Sequence, residues 1–329
     1  MTPPIAPRRL GAGPEVFPIA LGCMGMSDLY GAADERESIA TIHAALDQGV
    51  TLLDTGDYYA NGQNELLLGR ALRDRPGRAL LSVKFGALRD PAGAWLGIDL
   101  RPAAVKNFAA YSLKRLGVDH IDIYRPGRSD PAVPIEDTIG AIAELMAAGY
   151  VRGIGLSEAG AETARRAHAV HPVVDLQIEY SLISRGPEAK IFPTLATLGI
   201  GITAYGVLSR GLLAGSKPTG PRDLRSHLPR FAAGNYERNE QVVATLRRVA
   251  QDKGCTATQL AIAWVLAKGR NLVPLIGART RAQLTEALGA LDVRLSPDDI
   301  ARIEAGVPAS AVAGTRYDAR QMGMLDSER

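Results

Sequence analysis

The amino-acid sequence predicts a (β/α)8 barrel of the TIM type, an α/β fold with a long loop over the C-terminal mouth of its strands. Three observations predict it. Short apolar segments alternate with amphipathic ones along nearly the whole chain, no Gly-rich GxGxxG turn follows the first strand-like segment, and no low-complexity linker or internal repeat marks a boundary. One domain over residues 1–329 is therefore expected.

The elements follow in order. IALGCMG (18–24) reads as the first strand and SIATIHAALDQG (38–49) as the first helix. VTLLDT (50–55) precedes the helix 64–74, ALLSVKFG (79–86) the helix 103–117, and HIDIY (120–124) the helix 135–149. VRGIGLS (151–157) precedes 161–170, VDLQIEY (174–180) precedes 188–199, and GIGITAYG (199–206) leads through a long segment to helices near 237–253 and 256–268. LVPLIG (272–277) and a helix over 281–291 complete the series. Apolar strands each followed by a helix imply parallel neighbours, because a parallel pair needs a crossover and buries both faces of the sheet. Eight such units favour closure. The Gly-, Pro- and Arg-rich stretch 214–236 is expected to lie over the mouth.

Composition excludes several classes. With 46% hydrophobic and 22% charged residues the chain is globular, and a net charge of +3 without a long basic run argues against nucleic acid as the main partner. The start, MTPPIAPRRLGAG, has no apolar stretch behind its arginines, and nothing later approaches the roughly 20 apolar residues that cross a bilayer. A soluble cytoplasmic protein with no membrane partner is expected. Cys23 and Cys255 stand far apart without metal-ligand spacing, so no metal site is expected.

In such a barrel the reacting groups sit where strands end. Asp54, Lys84, Ser157, Gln177, Tyr205 and Gly277 all fall at or near strand ends, and Tyr59 follows Asp54 on the next loop. Asp54 has an ordinary reading as a turn hydrogen-bonder, with Tyr58 and Tyr59 as rim aromatics. Lys84 is harder to explain so, because it interrupts the apolar strand LLSVKFG, where an unpaired ammonium is costly. Facing Asp54 it would be paired, and would lower the pKa of a nearby tyrosine from about 10 toward neutrality. Asp54, Tyr59 and Lys84 together would make an acid for carbonyl reduction.

The segments DTGDYYANGQNELLLG, SVKFG, VPIEDTIGAIAELMAAGYVRGIGLSE, LQIEYSLISR, AYGVLSRGLLAG and PLIGARTRAQLTEAL resemble successive motifs of the aldo-keto reductases, and the likeness covers nearly the whole chain. It is similar above all to the bacterial and plant branch with the VPIEDT signature, which includes pyridoxal reductase-like members. The resemblance implies an NADPH-dependent reductase of small aldehydes or ketones, with Tyr59 as general acid tuned by Lys84 and Asp54. It implies that Tyr205 stacks on the nicotinamide and that Ser157, Glu158 and Gln177 hold its carboxamide, with Met24 also beside the cofactor. Gly206 to Leu213 would carry the pyrophosphate, through Gly206, Val207, Leu208, Ser209, Gly211 and Leu213. Gly277, Arg279, Gln283 and Glu286 would hold the adenosine end. Arg279 suits a 2′-phosphate, hence NADP(H), because a guanidinium grips phosphate with two hydrogen bonds. The other reading of Arg279 is a solvated residue at a helix start.

The chain departs from the family at one position. Where members place a His after the fourth strand, this sequence reads YRPGRSDP, with Gly127 in the His position. That His is one of two donors around the developing oxyanion. Arg125, Arg128 or His227 would have to supply the second hydrogen bond, unless water or the substrate does. Arg128 is expected to make a structural ion pair instead, and a His grafted at 127 is expected to raise or alter activity on simple aldehydes. The missing His also keeps open an NADP(H)-binding regulatory or partner-binding barrel, and NADP+-dependent alcohol oxidation uses the same residues in reverse. Loops 85–101, 125–131 and 214–236 are expected to shape the pocket.

Overall fold

A computed structural model describes residues 5–27, 29–221 and 223–329. Met1 to Pro4, Asp28 and Arg222, the last within the 214–236 segment, lie outside the described residues.

Eight parallel strands close into a barrel: β1 (Ala20–Gly22), β2 (Leu52–Gly56), β3 (Leu80–Phe85), β4 (Ile123–Pro126), β5 (Ile154–Ser157), β6 (Val173–Glu179), β7 (Gly201–Tyr205) and β8 (Leu272–Gly277). Each pairs with the strand before it in sequence, and β8 pairs with β1. The helices are α1 (Glu35–Asp47), α2 (Gln63–Leu72), α3 (Pro102–Leu116), α4 (Ile135–Ala147), α5 (Ala161–Val170), α6 (Ile191–Leu198), α7 (Asn235–Asp252), α8 (Ala257–Ala267) and α9 (Arg281–Leu288). Two further helices, α10 (Pro297–Gly306) and α11 (Ala319–Gly323), follow the barrel. The expected alternation and closure are therefore observed. None of the helices among the described residues is long and apolar enough to cross a membrane.

The N-terminal end of the barrel is sealed by a small antiparallel hairpin of Arg8–Arg9 and Glu15–Val16. Leu10 and Val16 pack there on Leu52, Ile123, Val174 and Val273, leaving the opposite end open for chemistry. A larger apolar shell joins the outer faces of the strands to the helices, as a fully buried parallel sheet requires.

Two loops carry more structure than their composition suggested. Within 85–101, Ala87–Arg89 and Trp95–Ile98 form an antiparallel hairpin. The 214–236 stretch contains two short 3-10 turns, Leu224–His227 and Pro229–Phe231. Asp223 anchors the first by accepting from the Arg225 backbone at 3.0 Å and from its guanidinium at 2.7 Å.

The fourth strand is displaced from its expected position. It begins at Ile123 instead of His120 and runs on through Arg125 to Pro126, and just before it the Asp122 side chain accepts from Leu81 N at 2.8 Å. Arg125 is consequently a barrel-interior residue and not part of the mouth.

Candidate active site

Asp54 and Lys84 lie on adjacent strands, β2 and β3, and their side chains meet in a buried ion pair. Asp54 is saturated by further donors: Ser82 Oγ at 2.7 Å and Gln177 Nε2 at 2.7 Å both reach its Oδ2. Burial pulls the Lys84 ammonium below its ordinary value, and Asp54 opposes that pull.

Tyr59 is delivered by a 3-10 turn, Tyr59–Gly62, whose path bends through left-handed φ values at Ala60 (46°) and Asn61 (52°). Non-glycine residues seldom adopt that region, so the turn must be held from outside. Asn64 does this at the start of α2, accepting from Thr55 Oγ1 at 2.6 Å and donating to Cys23 O at 2.9 Å and Ser27 Oγ at 2.6 Å. The Tyr59 ring then lies 5.2 Å from Lys84 Nζ, and a Cβ placed on Gly56 would touch Tyr59 Cζ at 3.4 Å and Lys84 Cβ at 3.5 Å. Asp54, Tyr59 and Lys84 are thus brought together, as the sequence suggested.

The tuning differs from expectation. Burial pushes the Tyr59 hydroxyl well above its ordinary value, Tyr58 and Asp54 push the same way, and the cation that opposes them most is Arg128.

Arg125 and Arg128 exchange the roles foreseen for them. Arg125 is fully buried and pairs with Asp175 at 3.1 Å, while its other terminal nitrogen donates to Ser82 Oγ at 2.9 Å. Half-buried Arg128 has no carboxylate partner among the described residues. It donates to Gly127 O at 2.7 Å and to Tyr317 Oη at 3.4 Å. His227 is exposed and turned to Pro221 O at 2.9 Å.

The remaining candidates line the strand ends beyond this cluster. Ser157 is buried at the end of β5, and Tyr205 ends β7 half-exposed. From Gly206 the chain turns tightly, with left-handed φ at Gly206 (66°), Ser209 (47°), Arg210 (56°) and Gly211 (90°). The side chains of Val207, Ser209 and Leu213 are buried, so this segment presents mainly backbone. Its Val207, Leu208 and Arg210 N–H groups have no hydrogen-bond partner among the described residues. Gly277 is exposed at the end of β8, and Arg279, whose Nη1 donates to Tyr30 O at 2.9 Å, follows it. Gln283 Oε1 accepts from Arg279 N at 2.8 Å. Glu286 accepts from Thr256 Oγ1 at 2.9 Å and, with Ala214, Arg247 and Gln251, lines an outer cleft of about 520 Å3. Met24 sits half-exposed in the turn after β1.

A model of the Aldo/keto reductase family matches residues 18–307. The chain belongs to that family. A protein named probable aldo-keto reductase 1 from Glycine max is 40% identical over 321 residues, 95% of this chain and 92% of its own length. Among solved structures, glycerol dehydrogenase AKR11B4 from Gluconobacter oxydans is similar with a TM-score of 0.81 at 28% identity, covering 92% of this chain and 96% of that one. An aldo/keto reductase from Klebsiella pneumoniae, solved with NADP and acetate, is similar with a TM-score of 0.74 at 25% identity, covering 95% and 98%.

In this aldo-keto reductase the mouth also recruits residues that sequence reading did not find. Arg316 reaches back to Glu158, and Glu179 is held by Arg210 at 3.1 Å and Arg230 at 3.3 Å. Tyr317 lies with its hydroxyl 3.2 Å from that of Tyr205, under the Arg210 guanidinium at 4.4 Å from its ring centroid. Glu158, expected to hold a carboxamide, has its carboxylate engaged by Arg316, Ser327 and the backbone N–H of Glu179. Burial alone would raise its pKa, but Arg316 and Arg128 hold it at about 2. Glu179 and Arg210 were visible within QIEYS and LSRG as charges in apolar surroundings. Arg316 and Tyr317 carried no signal, because Glu158 and Tyr205 stand far back in the chain.

Proposed function

We propose that this aldo-keto reductase reduces small aldehydes or ketones with NADPH, with Tyr59 as the acid. The observation that carries the reading is the convergence of Asp54, Tyr59 and Lys84, from two strands and a braced loop, at one spot on the open end of the barrel. A buried ion pair beside a phenol is hard to justify as packing, since well-packed apolar residues stabilise as well or better.

The residues fit the cofactor. Open backbone N–H groups at Val207, Leu208 and Arg210 suit the oxygens of a diphosphate, and the left-handed run keeps side chains off them. Tyr205 offers a ring face for the nicotinamide, and Ser157 and Gln177 offer polar groups beside it. Arg279, with Gln283, stands where a 2′-phosphate would be gripped. When bound, NADPH supplies the hydride. As charge builds on the carbonyl oxygen, the Tyr59 hydroxyl donates its proton there, and the Lys84 ammonium steadies the phenolate that remains. Asp54, locked by Ser82 and Gln177, keeps Lys84 charged and pointed.

The test is NADPH oxidation against a panel of aldehydes and ketones, with Tyr59→Phe alongside. Turnover by the native protein and none by Tyr59→Phe, at unchanged NADPH affinity, is the expected result. Turnover retained in Tyr59→Phe would remove the acid and the mechanism with it.

A further inference from the structure

A carbonyl oxygen that becomes alkoxide-like gains from two donors, one giving the proton and one a hydrogen bond. Tyr59 is the first. For the second, Gly127 offers no side chain, Arg125 is committed to Asp175 inside the barrel, His227 faces Pro221 O, and Arg128 is turned to Gly127 O and the Tyr317 hydroxyl.

The space above Gly127 is already filled by a hydroxyl. A Cβ at 127 would stand 2.9 Å from Tyr58 Oη and 3.2 Å from Tyr58 Cε1, so this phenol takes the room in which a side chain at 127 would begin. The Tyr58 ring meets that of Tyr59 edge to face, with centroids 5.0 Å apart and planes at 79°, so the two phenol rings are in contact. The side chain is half-buried, and its hydroxyl has no hydrogen-bond partner among the described residues. Burial raises its pKa, with Arg128 opposing, so the hydroxyl keeps its proton and remains a donor at any working pH.

We propose that Tyr58 is the second hydrogen-bond donor to the substrate's carbonyl oxygen, in the room that Gly127 leaves. It transfers no proton and steadies the oxyanion while Tyr59 protonates it. The assignment rests on the reductase reading above.

The experiment measures kcat, KM and the NADPH dissociation constant for the native protein, Tyr58→Phe, Gly127→Ala, the double variant and Tyr59→Phe, with 4-nitrobenzaldehyde as probe. Tyr58→Phe keeps the ring and is expected to lower kcat by about 10²-fold, with KM and NADPH affinity moving less than about threefold. Gly127→Ala pushes a methyl against the hydroxyl, so it is expected to lower kcat about tenfold in the native background and hardly at all in the Tyr58→Phe background. Unchanged kcat in Tyr58→Phe, or additive effects of the two substitutions, would overturn the assignment. Full turnover in Tyr59→Phe, or none in the native protein, would instead overturn the underlying reading.

Discussion

Arg316 stands 158 positions after Glu158, yet it meets both of that carboxylate's oxygens, Nη1 to Oε1 at 2.8 Å and Nη2 to Oε2 at 2.7 Å. Ser327 adds a hydroxyl to the same group, and its N–H donates to Glu158 O at 3.0 Å. A segment beyond the eighth strand therefore holds a charge at the end of the fifth.

Removing the guanidinium should be severe, because Glu158 is only 1% exposed and would be left as a buried unpaired charge. Arg316→Met is expected to cost about 3–5 kcal/mol in urea unfolding, while Arg316→Met with Glu158→Gln recovers most of it. A single variant as stable as the native protein would show the pair to be dispensable.

Glu158 also fixes an acid limit. Its folded pKa of about 2 lies below the ordinary 4.5, so its stabilising contribution is present above pH 4.5 and is lost as pH falls toward 2. The difference corresponds to about 3 kcal/mol. Stability measured across that window should fall steeply in the native protein and more gently in Glu158→Gln.

Lys84→Met leaves Asp54 buried with neutral donors only. A loss of about 3–5 kcal/mol in stability is expected. At temperatures where the variant is still folded, NADPH should bind while carbonyl reduction falls by at least about 10²-fold. Activity near the native level would separate Lys84 from the chemistry.

Arg279 already donates to Tyr30 O, so it is partly ordered before any ligand arrives. Arg279→Ala should weaken NADPH by about tenfold or more and leave NADH nearly unchanged, read by quenching of protein fluorescence. Equal weakening of both would show that the guanidinium does not read the 2′-phosphate.

Gly127→His, which the sequence alone expected to raise or alter activity on simple aldehydes, now carries the expectation of a loss. Its Cβ would stand 2.9 Å from Tyr58 Oη, inside normal contact, so the phenol must move before an imidazole enters. Lower kcat than native is expected from the single change, and recovery when Tyr58 is shortened to Val. A gain from Gly127→His alone would mean that Tyr58 yields freely.

The fold was legible because alternation between apolar strands and amphipathic helices is a local signal repeated eight times. Lys84 was legible for a related reason, since one ammonium in LLSVKFG contradicts its surroundings. Arg125 and Arg128 were misjudged because the strand β4 runs on to Pro126, which puts Arg125 inside the barrel against Asp175, a partner 50 residues on that no local pattern encodes. Tyr58 was visible only as a rim aromatic, because its meaning comes from Gly127, on a different strand end. Arg316 and Tyr317 belong to a tail whose partners are set by tertiary closure alone.

The Arg316–Glu158 contact also orders events during synthesis. All eight strands leave the ribosome before residue 316 does, so the barrel can close while Glu158 still lacks its counter-charge. The stretch from Arg316 to Ser327 can dock only after that, and it is anchored by Asp326 Oδ2 accepting from Gly160 N at 2.6 Å. A chain stalled short of residue 316 would lack both the guanidinium that meets Glu158 and the wall that Tyr317 shares with Tyr205.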